Sequence, residues 1–214
     1  MQISGFCVSS EGKQAKRTDL RSGLSAKEGK NMILEDKWFT LKDGRRAVIR
    51  TPKEEDIEGM LNYLRVSAEE TEFILRYPEE CSKYTYENEQ KVFAQWRESE
   101  NDLALVCVVD GEVAGNCHVR INTNLKTRHR ASIGIALMKK YWNLGIGTLF
   151  FEEMIAFAKA KPQVTQIELE FIEGNTRARA LYEKMGFRIY GVRPNAIKLK
   201  DGRLLNEYLM IKEL

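Results

Sequence analysis

The alternation of apolar and small residues is clearest over residues 131–137, where it has the two-residue period of a β-strand. The apolar face consists of Ile133, Ile135 and Leu137, and the other face consists of Ser132, Gly134 and Ala136. A strand face made only of small residues leaves room for another group to lie against the backbone. The pattern therefore predicts a strand beside which a ligand is able to bind.

A glycine-containing turn, residues 143–148, follows this strand and leads into a helix with one broad apolar face. Glycines before a helix allow close approach to the backbone, and the free amides of the first turn attract anions. No Lys-Ser or Lys-Thr pair follows Gly147, which excludes the nucleoside-triphosphate loop, and the spacing differs from the dinucleotide fingerprint. The turn is a candidate phosphate or pyrophosphate site, although a plain tight turn has the same pattern.

Shorter periodic segments on either side complete the predicted order of elements. The chain reads as strand, two or three helices, three strands, helix, strand, helix and two strands. A capping box beginning at Thr51 is expected to start the first helix, which should end near Ser67, and Thr85 is expected to cap the second. Residues 1–31 are rich in Ser, Gly, Lys and Arg and lack apolar periodicity, so they predict an extension without fixed structure before one domain at 32–214.

Composition excludes several classes of partner. The 34 Lys and Arg residues nearly balance the 31 Asp and Glu residues, and a net charge of +3 does not favour nucleic acid or an anionic membrane. The four cysteines have no C-x-x-C spacing, so we expect reduced thiols and no metal site. No apolar run reaches membrane-spanning length and no signal peptide is evident, which predicts a cytoplasmic protein.

A second motif, residues 175–187, reads NTRARALYEKMGF. Asn175 is a good N-cap and Gly186 stands where a left-handed helix stop is expected. Four residues share one helical face: Ala178, Leu181, Tyr182 and Met185. Taken alone, this segment is explained equally well by an amphipathic helix with a buried tyrosine.

Together, the two motifs resemble motifs A and B of the GNAT superfamily of acyl-CoA N-acyltransferases. Motif A has the form Gln/Arg-x-x-Gly-x-Gly/Ala, and this chain keeps Gly145 and Gly147 but has Trp142 at the Gln/Arg position. The "ETEF" segment at 70–73, the "IGI" strand and the final Asp-Gly hairpin are similar to those of bacterial amino-acid and ribosomal-protein-type acetyltransferases. The resemblance implies an α+β GNAT fold, a mixed and twisted central sheet of about seven strands with helices on both faces.

The resemblance also implies acetyl-CoA as co-substrate. Its pyrophosphate would lie on the glycine turn, and a β-bulge would free backbone N–H groups of the strand for its pantetheine arm and thioester carbonyl. By this resemblance the cofactor-binding residues are Ile135, Ala136, Leu137, Asn143, Leu144, Gly145, Ile146, Gly147, Thr148 and Asn175. Tyr182 would protonate the leaving thiolate.

The proton acceptor and the amine-binding residues are less clearly indicated. Glu170, on the strand beside the cofactor strand, and His129, which titrates near neutrality, are candidate bases, although either residue is also compatible with a solvated position. The resemblance implies that the segment between the first two helices forms one wall of the amine site, which makes Glu70, Glu72 and Tyr77 candidates to meet a cationic acceptor. A solvated acidic helix start explains them as well.

The predicted activity is acetyl transfer from acetyl-CoA to a primary amine of a small molecule or a protein N-terminus. A regulatory acetyl-CoA-binding module without turnover is the alternative, and the presence of Tyr182 favours an enzyme. A homodimer is compatible with the sequence.

Overall fold

A computed structural model describes residues 34–214, so the predicted extension at 1–31 lies outside the described residues. The strands are β1 Lys37–Thr40, β2 Arg46–Arg50, β3 Asp102–Val109, β4 Glu112–Ile121, β5 Arg130–Leu137, β6 Gln166–Ile172, β7 Arg188–Lys198 and β8 Leu204–Glu213. The α-helices are α1 Ile57–Glu70, α2 Tyr86–Glu98, α3 Ile146–Lys159 and α4 Thr176–Lys184. None of the helices in this part of the chain is both long and apolar enough to cross a membrane.

All eight strands form one mixed sheet in the order β1-β2-β3-β4-β5-β6-β8-β7. Every neighbouring pair is antiparallel except β5 and β6, which run parallel. The predicted α+β class is confirmed, with eight strands rather than about seven because β1 adds an edge strand to β2.

Helices cover both faces of this sheet, as predicted. Trp96 of α2 contacts His118 of β4, with ring centroids 5.7 Å apart. Gly147 of α3 lies against Ile135 of β5, which pairs with Cys117. Because successive residues of a strand point to opposite faces, His118 and Cys117 place α2 and α3 on opposite sides.

The start of α1 differs from the predicted capping box. The Thr51 hydroxyl accepts a hydrogen bond from the Leu34 N–H, and the Asp56 carboxylate accepts one from the Lys53 N–H at 2.7 Å. Asp56 is also paired with the buried Arg50. A charged carboxylate accepts more strongly than a hydroxyl, so Asp56 organises this turn, and α1 then continues to Glu70 rather than ending near Ser67. The predicted Thr85 cap of α2 is confirmed.

The feature that matters most for function is the separation of β5 from β6. The two strands pair only where Arg130, Ala131 and Ser132 face residues 166–168, and beyond this point they diverge. The predicted β-bulge in β5 is wrong, because β5 keeps an unbroken register with β4 through Leu137.

Divergence of the strands exposes backbone donors without a bulge. The Arg130 carbonyl accepts from Asn122 of the β4 side, and the Met138 N–H donates to Ala114. Hydrogen-bonded pairs alternate in an antiparallel ladder, so even-numbered residues of β5 bond to β4. The N–H groups of Ile135 and Leu137 therefore point into the gap, whereas the Ala136 N–H points toward Asn116.

Candidate active site

A cavity of about 440 Å³ occupies the gap between the diverging strands. Residues 133–137 of β5 line one wall and residues 169–172 of β6 line another. The remaining lining comes from α1, α2, the segment between them, Asn116 of β4, the segment after β5 with Lys139 and Trp142, Phe151 of α3, α4 with Asn175 before it, and Glu207 of β8. The cavity therefore has access both to the open edge of β5 and to the side of the sheet covered by α1 and α2.

The glycine turn at the start of α3 is built from two unusual backbone conformations. Asn143 has φ +64° and Gly145, the N-cap of α3, has φ +99°. A left-handed residue immediately before a helix favours glycine. Here α3 begins at Ile146, within the segment 143–148 that was predicted as a turn. Thr148 and Leu149 both donate to the Gly145 carbonyl, so the amides that remain for an anion precede Thr148.

Gly147 also has a packing role that the motif did not suggest. A Cβ atom at this position would lie 2.9 Å from Cδ2 of Leu181 on α4. The missing side chain thus allows α4 to pack on the first turn of α3. This packing also brings the Lys184 ammonium to 3.5 Å from the Thr148 hydroxyl, beside the turn.

Trp142, the residue that departs from motif A, forms a stack with the start of α4. Its indole Nε1 donates to the Leu137 carbonyl at 2.8 Å. The Arg177 guanidinium carbon lies 3.4 Å from the centroid of the Trp142 ring, which is a close cation–π contact. Both side chains line the cavity, so a cation stands next to the position where motif A usually supplies Gln or Arg.

Tyr182 lies on the inward face of α4 and is 7% exposed. Its ring packs against Phe151 and Phe171, with centroids 5.4 and 6.1 Å away. Burial raises the pKa of Tyr182 to about 12. Among the described residues its hydroxyl has no hydrogen-bond partner, and it borders the cavity. The phenol therefore keeps its proton at neutral pH and is free to donate it to a ligand.

Asn175 both caps a helix and borders the cavity. Its side-chain oxygen caps α4 by accepting from the Ala178 N–H at 3.3 Å. Asn175 also lines the cavity, and the side-chain amide nitrogen has no part in the cap.

Glu170 borders the cavity as part of an acidic pair with Glu207 of β8. Arg193 bridges the two carboxylates, forming a salt bridge with Glu207 and lying 3.5 Å from Glu170. Burial and the neighbouring Glu170 charge raise the pKa of Glu207, which is only 5% exposed. The raised pKa allows Glu207 to hold a proton more readily than an exposed carboxylate, and Glu170 lies beside it at the cavity.

Of the predicted amine-binding residues, only one lines the cavity. Glu70 lines the cavity, and its carboxylate accepts from the Lys139 N–H at 2.6 Å. Glu72 pairs with Arg203, and the Tyr77 hydroxyl accepts from the Lys200 N–H. These two residues connect the α1–α2 segment to the β7–β8 hairpin and do not line the cavity.

His129 is half-buried and immediately precedes β5, at the opposite end of the strand from Leu137. Its carbonyl accepts from the Thr165 N–H. The structure does not bring this imidazole to the cavity.

The sequence interpretation missed three polar residues of the wall opposite Tyr182: Glu89, Asn116 and Tyr84. Burial raises the pKa of Glu89 to about 7, and only the nearby Arg76 charge opposes this shift. A signal for Glu89 was present, since it precedes Phe93 and Trp96 by four and seven residues and so shares the apolar face of α2. A charged residue on such a face is either paired or functional.

Comparison with known proteins decides the family. The sequence profile of the acetyltransferase (GNAT) family matches residues 37–187, which is more than half of the chain. The chain belongs to the acetyltransferase (GNAT) family. The resemblance of both motifs and the predicted fold are thereby confirmed.

Individual GNAT relatives agree with this assignment. The chain is similar to an acetyltransferase of GNAT family from Streptococcus pneumoniae, with 27% identity, a TM-score of 0.73, and coverage of 78% of this chain and 99% of that one. A putative acetyltransferase from Salmonella typhimurium, solved with its cofactor acetyl-CoA, has the same fold at 16% identity and a TM-score of 0.67, covering 78% and 94% of the two chains.

Among curated proteins, an N-alpha-acetyltransferase of Sulfurisphaera tokodaii is 33% identical over 91 residues. These residues are 39% of this chain and 54% of that protein, so the chain spans about half the length of the curated relative that it matches.

Proposed function

We propose that this protein is an N-acetyltransferase that moves the acetyl group of acetyl-CoA to a primary amine by direct attack of the amine on the thioester. The observation that carries this proposal is the unpartnered hydroxyl of Tyr182 in a cavity that opens between β5 and β6. This hydroxyl borders the cavity and bonds to no described protein group, so it is available to a ligand there.

The donor side of the cavity fits a pyrophosphate followed by an extended amide chain. The free amides before Thr148 lie at the positive end of α3, and Arg177 and Lys184 add positive charge beside them. Along β5 the N–H groups of Ile135 and Leu137 are placed to bond an amide or a thioester carbonyl. When acetyl-CoA is bound it supplies the activated acetyl group, and these donors would stabilise the negative charge that develops on the carbonyl oxygen.

The acceptor reacts only as a neutral amine, so a protein group or a water molecule has to remove a proton first. Glu170, paired with Glu207, is the proposed proton acceptor. As the new C–N bond forms and the C–S bond breaks, Tyr182 would donate its hydrogen bond and proton to the departing sulfur. Glu70 is proposed to face the acceptor because it borders the cavity. Glu72, Tyr77 and His129 do not line the cavity, so a role for them in binding or deprotonating the amine would require contacts outside it.

The test is free-thiol release from acetyl-CoA with pooled amino acids, diamines and peptides with free N-termini, beside a thermal-shift titration with CoA. We expect CoA to raise the melting temperature and at least one amine pool to release thiol above the hydrolysis background. A thermal shift without thiol release in any pool would instead favour the regulatory acetyl-CoA-binding module.

The family and the balanced charge support a small-molecule amine or a protein N-terminus as acceptor, without nucleic acid or membrane as partner. A cytoplasmic location and a homodimer are part of the same proposal. Fractionation of cells and sedimentation of the purified protein would test these two points.

A further inference from the structure

Three polar side chains in one wall of the cavity have no hydrogen-bond partner among residues 34–214. Glu89 of α2 and Asn116 of β4 are each 7% exposed, and no side-chain hydrogen bond is formed by either. The buried hydroxyl oxygen of Tyr84, in the segment before α2, is also without a partner. Native proteins leave few buried polar groups unpaired. The buried Tyr84 oxygen, beside two polar side chains that border the same cavity without a protein partner, therefore indicates a polar ligand.

These groups face the small-residue side of β5. Asn116 is directly opposite Ala136, and His118, the next residue on the same face of β4, is opposite Gly134. Paired residues of an antiparallel ladder project to the same face. Trp96 of α2 covers this face and lines the cavity. The absence of larger side chains at Gly134 and Ala136 therefore leaves open a chamber between α2 and the strand along which the thioester is proposed to lie.

Glu89 is the carboxylate of the chamber that would attract a cation. Four carboxylates line the whole cavity, Glu70, Glu89, Glu170 and Glu207, and so do three cations, Arg76, Lys139 and Arg177. Arg76 is the cation that acts on Glu89, but its guanidinium donates to the Leu64 carbonyl at 3.1 Å and to the Ser67 hydroxyl at 2.7 Å. Arg76 therefore reduces the cost of the Glu89 charge without bonding to the carboxylate.

The hydrogen-bonding groups of the chamber further restrict the kind of ligand that fits. An ammonium group has three N–H donors and no acceptor. The Glu89 carboxylate, the Asn116 side-chain oxygen and the Tyr84 hydroxyl oxygen are three acceptors for them. A neutral apolar group would leave all three unpaired, which is costly in a buried site.

We propose that this chamber, formed by Glu89, Asn116 and Tyr84, binds a second ammonium group of the acceptor, so that the enzyme prefers small diamines over monoamines. The inference rests on the proposed function, because the other nitrogen of the diamine is the one that attacks the thioester. Glu89 acts here as a specificity-determining residue and takes no part in bond making.

The experiment measures binding of putrescine and pentylamine to the full chain with CoA bound, by calorimetry. Pentylamine has nearly the same size as putrescine and replaces one ammonium by a methyl group. Glu89→Gln keeps the side-chain shape and removes the charge, and Tyr84→Phe removes a hydroxyl that has no protein partner to lose. Glu98→Gln, at the exposed end of the same helix, is the matched control.

We expect the protein and the Glu98→Gln control to bind putrescine about 10- to 100-fold more tightly than pentylamine, the range of a hydrogen bond to a charged group. In Glu89→Gln this ratio should fall to about threefold or less, and Tyr84→Phe should lower it about fivefold. Equal binding of the two amines by the protein, or an unchanged ratio in Glu89→Gln, would overturn the inference.

Thiol release measured on the same samples separates the two proposals. Selective putrescine binding without thiol release would contradict the proposed acetyl transfer and leave the chamber as a diamine site. Thiol release with another amine, but without selective putrescine binding, would overturn the diamine site alone.

Discussion

Asp102 at the start of β3 and Glu89 on α2 are both mostly buried carboxylates, but their surroundings are opposite. Asp102 lies next to Arg120 Nε at 2.7 Å, Ser99 Oγ at 2.7 Å and His118 Nε2 at 3.0 Å. Burial opposes the charge of Asp102, yet these hydrogen bonds outweigh it and lower its pKa to about 2. Glu89 accepts no hydrogen bond in the described residues, and burial raises its pKa to about 7.

The difference shows how one fold separates stabilising groups from groups that await a ligand. A buried charge with a complete set of donors supports the structure, whereas a buried charge without donors is kept at a cost in stability. Tyr182, Asn116 and Tyr84 are uncharged, but like Glu89 their side chains have no hydrogen-bond partner among the described residues, and they line the same cavity. The presence or absence of hydrogen-bond partners, and not the degree of burial, therefore distinguishes polar residues that stabilise the fold from those that await a ligand.

The largest expected effect is the loss of stability in Asp102→Ala. Removing this carboxylate leaves Arg120, His118 and Ser99 without their shared acceptor, which should lower the free energy of unfolding by about 3 kcal/mol. Chemical denaturation at neutral pH measures it. The folded fraction should retain its CoA affinity, and a variant as stable as the original protein would mean that the Asp102 network does not support the fold.

The Asp102 contribution should also depend on pH in a defined window. The folded pKa of about 2 lies below the ordinary value of 3.8, so the stabilisation is complete above about pH 4 and is lost as the pH falls through 2. Denaturation curves of the original protein and Asp102→Ala should therefore converge in strong acid.

The next effect is on turnover in Tyr182→Phe. If the phenol donates to the leaving sulfur, kcat should fall about 100-fold, the lower part of the range for a general acid. Stability should stay within about 0.5 kcal/mol, because the hydroxyl has no protein partner to lose. Steady-state kinetics beside a denaturation curve gives both values, and full activity in a destabilised variant would reject the catalytic assignment.

Glu89→Gln is expected to change the free energy of unfolding less than Asp102→Ala does, and in the opposite direction. Because the folded pKa of Glu89, about 7, exceeds its ordinary value of 4.5, the folded protein binds this proton more tightly than the unfolded chain. The free energy of unfolding should therefore fall as the pH rises from about 4.5 to 7. Arg76 is the charged neighbour that opposes the shift of the Glu89 pKa, and burial raises the pKa of Tyr84, so that phenol stays neutral throughout this window.

Glu89→Gln lacks this titration, so it should be more stable than the original protein by about 1–2 kcal/mol at pH 8 and nearly equal to it at pH 5. Melting temperatures of both proteins at the two pH values provide the measurement. A variant that is less stable at pH 8 would place Glu89 with Asp102 among the stabilising carboxylates.

The smallest effect concerns the glycine turn, where backbone donors also await a ligand. Asn143→Asp keeps a residue that tolerates the left-handed conformation and adds a negative charge beside the proposed pyrophosphate site. CoA affinity should fall about fivefold, equivalent to about 1 kcal/mol for a screened like-charge pair. Asn195→Asp, also exposed and left-handed but on β7, is the control and should bind CoA normally.

Local sequence was sufficient to predict turns and helix caps wherever one residue type satisfies a backbone requirement. Gly186 has the left-handed conformation expected at the end of α4, Asn175 caps α4, and Thr85 caps α2. In each case the partner lies within a few residues, so its position follows from the chain itself. The failure at Thr51 shows the limit of this reasoning, because a competing carboxylate five residues beyond the predicted cap, Asp56, accepts from the Lys53 N–H and is paired with Arg50.

The amino-acid sequence by itself determined the family, the order of elements and the placement of Tyr182 and Glu170 beside the gap. Only the tertiary structure decided which other polar residues face that gap, since contacts between elements distant in the chain set the choice. Glu72 and Tyr77 are directed to the β7–β8 hairpin by Arg203 and Lys200, which lie more than a hundred residues away. Glu89 enters the cavity because α2 packs over the small face of β5, where no neighbouring residue satisfies its charge.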